Sequence, residues 1–282
     1  MSEPDKVHTD MFTVTFWGSR GTRMVSDKNH IVYGKDTICV EVQCGSRTLV
    51  FDAGSGIISL GESLIKRNID SIDLFLSHSH YDHVEGIPFF QPFYNTDFSS
   101  TFWSGRLNGI THSRDIVDGL MKEPYFPIKQ EKFLSKIRYK DISDFETLQL
   151  GDEIEIETKP LNHPGKATGY RVNFKGRSFA FITDTTHVPN KPDEALIEFI
   201  RDVDLFAYDC SYTDKEFPKF ATYGHSTWEE AIRLKNSSRA KAMAGLHHMP
   251  FRTDKALDKI AEMLKTNGKG CRIARDGLKI QL

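Results

Sequence analysis

The sequence predicts an α+β fold, with one domain over residues 1–282 made of two sheet-plus-helix halves behind a short polar lead over 1–11. Three observations predict it. Runs of β-branched and aromatic residues that read as strands give way to segments with helical apolar spacing, and this order comes twice. The regular strand–helix alternation of a doubly wound sheet is missing. No repeat, low-complexity tract or Pro/Ser-rich linker divides the chain.

Taken in order, FTVTFWG (12–18) alternates and reads as a strand, and the polar, Gly-punctuated stretch 19–36 reads as a loop. TICVEVQCG (37–45) and RTLVFDAG (47–54) are strands about the turn Cys44–Gly45–Ser46, and GIISLGESLIKRN (56–68) has the spacing of a helix. SIDLFLSHSH (71–80) reads as a short buried strand, and residues 84–125 as partly helical and otherwise irregular. KIRYKDI (136–142), DEIEIETKPLN (152–162), GYRVNFKG (169–176) and RSFAFITD (177–184) are strands. ALIEFIRDV (195–203) and TWEEAIRLKNSS (227–238) are amphipathic helices. Ala242–Leu246 is a short strand, and a helix over Lys255–Thr266 and one last strand close the chain.

A formal charge of −2 argues against a dominant electrostatic attraction to nucleic acid or anionic membrane. Cys39, Cys44, Cys210 and Cys271 have no CxxC spacing and read as buried free thiols. The amino terminus lacks a signal pattern, and no apolar run approaches the ~20 residues of a membrane span. The expected compartment is the cytoplasm.

Chemistry concentrates in LSHSHYDHVEG, where His78, His80, Asp82 and His83 crowd into six residues of a chain with 11 histidines. A strand aims alternate residues at one point, so His78 and His80 can converge, while Asp82 and His83 face a second point beyond the turn. Imidazole and carboxylate together suit zinc, and also manganese or iron. His163, Asp184 and His247 each follow an apolar strand, so they can gather at one rim, where a carboxylate such as Asp184 can bridge two cations.

HSHYDH matches the HxHxDH signature of the metallo-β-lactamase superfamily, and His163, Asp184 and His247 fall in its expected order from about Phe12 to Leu282. The resemblance implies an αβ/βα four-layer sandwich with a dinuclear site at the edge between the sheets. It implies two divalent transition-metal ions, zinc first with manganese or iron as alternatives. One would sit on His78, His80 and His163, the other on Asp82, His83 and His247, with Asp184 bridging. The motif is specific for the fold and uninformative about the substrate.

GHSTWEEAIRL (224–234) resembles the HST-plus-helix segment of the ribonuclease Z and phosphodiesterase branch, where the counterpart of His225 donates a proton to the leaving group. Ser226 followed by Glu229 also reads as a capping box. DAGSGI (52–57) resembles the superfamily's early turn, which makes Asp52 a residue that orients a ligand histidine. The opening FWGSRGT resembles members of this branch, and Arg20 with Ser19 would then meet a phosphate oxygen. His187 and His248 receive no role.

The resemblance therefore implies a phosphodiesterase on a small phosphodiester such as a cyclic nucleotide, acting through a hydroxide generated between the cations, with Asp82 and His225 catalytic. Nucleic acid and membrane are not expected partners, and a homodimer is within expectation because relatives often dimerise. The basic, Gly- and Pro-containing arm with which ribonuclease Z grips tRNA is not evident between His83 and His163. A ribonuclease Z-like tRNA 3′-end endonuclease is the nearest alternative. A lactonase or lactamase and a non-catalytic ligand sensor stand further off.

Overall fold

The structure, a computed structural model, describes residues 10–105 and 112–282; most of the polar lead lies outside them. The first half of the chain supplies β1 (Phe12–Gly18), β2 (Cys39–Cys44), β3 (Arg47–Phe51), β4 (Ser71–Leu76), β5 (Ser99–Gly105) and β6 (Lys136–Ile142). The second supplies β7 (Thr147–Leu150), β8 (Ile154–Leu161), β9 (Ala167–Phe174), β10 (Arg177–Ile182), β11 (Leu205–Asp209), β12 (Ala242–Leu246) and β13 (Cys271–Ile273). β14 (Lys279–Gln281) returns to the first sheet, which is ordered β14-β1-β2-β3-β4-β5-β6, and the second runs β13-β12-β11-β10-β9-β8-β7. Each sheet is mixed: hairpin-linked strands pair antiparallel, and β3 to β6 and β10 to β13 pair parallel.

Burial on both faces explains the sequence of each sheet. Phe51 and Phe75 of the first sheet stack at 5.3 Å and meet Tyr170, Phe179 and Phe181 of the second, which closes a core between the sheets. The opposite face of the first sheet packs on α1 (Gly56–Lys66), the single turn α2 (Tyr81–Val84) and α3 (Ser113–Leu120). The outer face of the second packs on α4 (Glu194–Phe199), α6 (Trp228–Ser238) and α7 (Asp254–Asn267), with the short α5 (Phe217–Phe220) beside them. Helix, sheet, sheet, helix is the expected αβ/βα sandwich. Where β2 must carry a polar residue inward it is bonded: Glu41 accepts from Trp17 Nε1 at 2.8 Å and from Arg67 at 2.7 Å.

Several local expectations change. The strand expected over 71–80 ends at Leu76, so His78 and His80 lie in the link between β4 and α2. β5, β7 and β11 fall where no strand is read from sequence, and the single last strand is two, β13 and β14, in different sheets. The cap of α6 is Thr227, whose hydroxyl accepts from Glu230 N at 3.0 Å. Ser226 is not the cap, because its hydroxyl serves His187 and Tyr208. All four cysteines are buried and free. Among the described residues no helix is long and apolar enough to cross a membrane.

Candidate metal centre

Strand ends build the site. Asp52 follows β3, His78 to His83 follow β4, His163 follows β8, Asp184 follows β10, Asp209 ends β11 and His247 follows β12. Three of these have left-handed backbones, with φ of 61° at Asp52, 43° at Asp184 and 61° at His247. Such conformations cost roughly 1–3 kcal/mol each and persist where the surroundings impose them. The two sheets are tied together at this rim, where Thr168 N donates to Ser77 O at 2.8 Å and the Tyr170 hydroxyl donates to Leu76 O.

The side chains fall into two principal donor sets, and Asp184, Asp209, His225 and His247 form a third that overlaps them. Ligand atoms of His78, His80, His163 and Asp184 lie within 4.8 Å of one another, and so do those of Asp82, His83 and His247. Asp184 serves both: Oδ1 is 3.2 Å from His83 Nε2 and 3.3 Å from His247 Nε2, while Oδ2 is 3.7 Å from His78 Nε2 and 3.6 Å from His163 Nε2. Donor atoms this close can surround a cation at bond lengths of ~2.0–2.2 Å.

Four of the rings have their outward nitrogens held. Asp52 Oδ2 takes His83 Nδ1 at 2.7 Å, Ser77 Oγ lies 3.0 Å from His78 Nδ1, Gly224 O takes His163 Nδ1 at 2.8 Å, and Ser211 Oγ lies 2.9 Å from His247 Nδ1. Each of these four rings therefore turns Nε2 inward, the arrangement that fixes tautomer and direction in metal sites. Nε2 of His78 and of His83 is buried without a well-aligned hydrogen bond among the described residues, with carboxylate oxygens 3.2–3.7 Å away, and a cation would satisfy both nitrogens.

The charges point the same way. Burial works against ionised carboxylates, yet the surrounding histidines hold Asp82 and Asp184 far below the usual range. Burial also works against a charged imidazole, yet Asp184 and Asp82 push His247 up to about 9 and hold His83 well above its ordinary value. His78 is pushed down by burial and by His83. Buried carboxylates that draw protons onto neighbouring imidazoles form a cation-seeking set, and a bound cation would displace those protons. The donor set is nitrogen and oxygen only, which fits zinc, manganese or iron and excludes a closed thiolate site.

His225 stands beside the second set, its ring stacked on His247 at 4.5 Å. Its Nδ1 meets Asp209 Oδ2 at 2.9 Å, and Asp209 Oδ1 accepts the amide and hydroxyl of Ser211. Asp209 thus orients His225 directly and His247 through Ser211. Sequence reasoning missed Asp209, although LFAYD carries the same signal as Asp184, a carboxylate closing an apolar strand.

Arg20 and Ser19 do not reach the donor sets, contrary to expectation. Arg20 is fully buried, with Nε on Gly34 O at 2.9 Å and Nη1 on Arg252 O at 2.7 Å, and Ser19 Oγ is bonded to Tyr33 O and Asp276. Their loop touches the site through backbone instead: Thr22 N donates to Asp82 Oδ2 at 2.6 Å, and Gly21 lies flat against the His247 ring. His248 is a buried packing residue bonded to Ala274 O, pushed down to about 3 by burial and by Arg20. His187 stacks on Phe217 at 4.1 Å and bonds Ser226 Oγ.

Residues 47–248 match the beta-lactamase superfamily domain. The chain belongs to that superfamily, in its metallo-β-lactamase fold. It is a metal-dependent hydrolase. A ribonuclease Z from Nanoarchaeum equitans is 25% identical over 259 residues, covering 77% of this chain and 79% of the relative. The metallo-β-lactamase fold protein YhfI from Bacillus subtilis superposes with a TM-score of 0.73 at 18% identity, over 97% of this chain and all of that one. A diphosphatase of the PhnP family superposes with a TM-score of 0.69 at 18% identity, over 96% of this chain and 98% of the other.

Proposed function

We propose that this superfamily hydrolase is a phosphodiesterase acting on a small phosphodiester such as a cyclic nucleotide. The observation that carries the reading is the Asp209–His225 pair beside the bridging carboxylate. Asp209 holds Nδ1, which leaves Nε2 as the ring nitrogen able to hand a proton to a departing alkoxide. Asp82, fixed by the Thr22 amide and by His247, is placed to orient the attacking water. When bound, two divalent cations held by the two donor sets supply Lewis acidity, acidifying a water and offsetting charge on the phosphoryl oxygens. The buried rings around them keep competing water away from the reacting atoms. Four buried thiols support a reducing compartment, and we place the reaction in the cytoplasm.

A ribonuclease Z-like reading is supported equally by the named relative. Charge favours the smaller substrate: the chain carries −2, and tRNA binding draws on many phosphate contacts. Between His83 and His163 the described strands β5 to β8 all belong to the two sheets. A precursor tRNA cleaved with steep salt dependence would favour the alternative.

The reading is tested with two leaving groups. A ribose alkoxide needs protonation to depart, and p-nitrophenolate does not. His225→Ala is expected to keep its metal and to slow a cyclic nucleotide by ~10²–10⁴-fold, with a far smaller loss on bis(p-nitrophenyl) phosphate. Equal losses on both substrates sink the proton-donor role, and efficient lactone or β-lactam opening without phosphodiester cleavage sinks the function.

A further inference from the structure

The exposure of the donor residues shows where the centre opens. His78, His83, His163, Asp184 and His247 are buried, whereas His80 is exposed and His225 is half-buried. A substrate therefore arrives over His80 and His225. Large aromatic rings stand in solvent beside both: Tyr81, next to His80 in the chain, is 78% exposed, and Tyr223, two residues before His225, is 59% exposed.

Tyr223 is backed by an aromatic stack. Its ring meets Phe220 edge-on at 5.5 Å, Phe220 lies nearly parallel to Tyr212 at 4.5 Å, and Tyr212 reaches His225 at 6.2 Å. The backbone beneath it is pinned, because Gly224 O accepts His163 Nδ1, and Gly224 has no room for a side chain against His163 and Pro164. On the same rim, where Pro164 packs against Gly224, Gly165 lies against His80, and the next residue, Lys166, is exposed and in no ion pair among the described residues. An exposed ring backed by an aromatic stack and an exposed lysine at the mouth of the centre match a ligand with a flat apolar end and an anionic end.

We propose that Tyr223, supported by Phe220 and Tyr212, is the stacking platform for the nucleobase of the substrate, and so the residue that makes a nucleotide diester preferred over a base-free one. This rests on the phosphodiesterase reading and names its substrate class. Stacking of a base on an aromatic side chain is lost almost entirely on replacement by alanine and kept on replacement by phenylalanine.

The test is calorimetric titration of the metal-loaded protein with adenosine 5′-phosphate and with ribose 5-phosphate. The wild type is expected to bind the nucleotide more tightly. Tyr223→Ala should weaken it about 5- to 150-fold and leave ribose 5-phosphate unchanged, and Tyr223→Phe should restore wild-type affinity. Equal wild-type affinities, binding of neither ligand, or equal weakening of both by Tyr223→Ala overturns the platform. Loss of the function reading looks different: base discrimination persists while neither cyclic nucleotide nor p-nitrophenyl diester is hydrolysed.

Discussion

Replacing Gly21 with alanine tests how the loop after β1 closes the centre. A Cβ there would stand 2.1 Å from Cε1, 2.2 Å from Nδ1 and 2.5 Å from Nε2 of His247, where ordinary contact begins at 3.4 Å. Loop and ring must therefore separate by about 1.3 Å. The ring has little freedom, since Ser211 holds Nδ1 at 2.9 Å and His225 stacks on its face. The loop is the part that moves, and it carries Thr22 N away from Asp82 Oδ2. A hydrogen bond to a charged group contributes roughly 1.5–3 kcal/mol, and a misplacement of ~1 Å near reacting groups costs ~10²-fold in rate. Gly21→Ala is thus expected to lower kcat/KM on a phosphodiester by ~10²-fold and to reduce metal content by elemental analysis. Thr22→Ala, which keeps the amide, should stay near wild type on both measures. A Gly21→Ala protein with full metal content and unchanged kcat/KM would show that this contact does not position His247 or Asp82.

Elemental analysis of the purified protein is expected to find close to two transition-metal ions per chain, and Asp184→Ala should lower that content; full occupancy in the variant removes Asp184 from the bridging position. Asp209→Asn should keep its metal and slow a cyclic nucleotide by ~10²-fold while sparing the p-nitrophenyl diester, and an unaffected cyclic-nucleotide rate refutes its orienting role. Burial pushes the Asp276 carboxyl up to about 6, although the amides of Asp36 and Lys35 pull against it. An unfolded carboxyl titrates near ~3.9, so between these values the folded chain binds the extra proton and this group's contribution to stability rises as pH falls. Thermal melts from pH 7 to pH 4 should show Asp276→Asn missing that gain, on the order of 1–2 kcal/mol for a partly exposed group. Parallel pH profiles for the two proteins would contradict it.

The parts of the centre legible in the sequence are those set by local pattern. HSHYDH is contiguous, and Asp184 and His247 close apolar runs, so strand periodicity brings them to one rim without knowledge of the partners. The same rule applied to LFAYD would have found Asp209, had β11 been read as a strand. Fold class was legible for the same reason, because the order of strands and helices restricts the layers that can bury their faces. Which atom of a loop reaches the site depends on packing between residues distant in the chain, and sequence carries no local signal for it. Arg20 looks like an anion ligand, yet burial against Gly34 and Arg252 removes it, and its featureless neighbours Gly21 and Thr22 make the contact. Ser226 and Thr227 are both competent caps by type, and the pull of His187 and Tyr208 on Ser226 leaves the role to Thr227. The left-handed turns at Asp52, Asp184 and His247 are likewise a tertiary decision: aspartate and histidine enter that region more readily than most residues, but the convergence of two sheet edges on one centre selects these three positions.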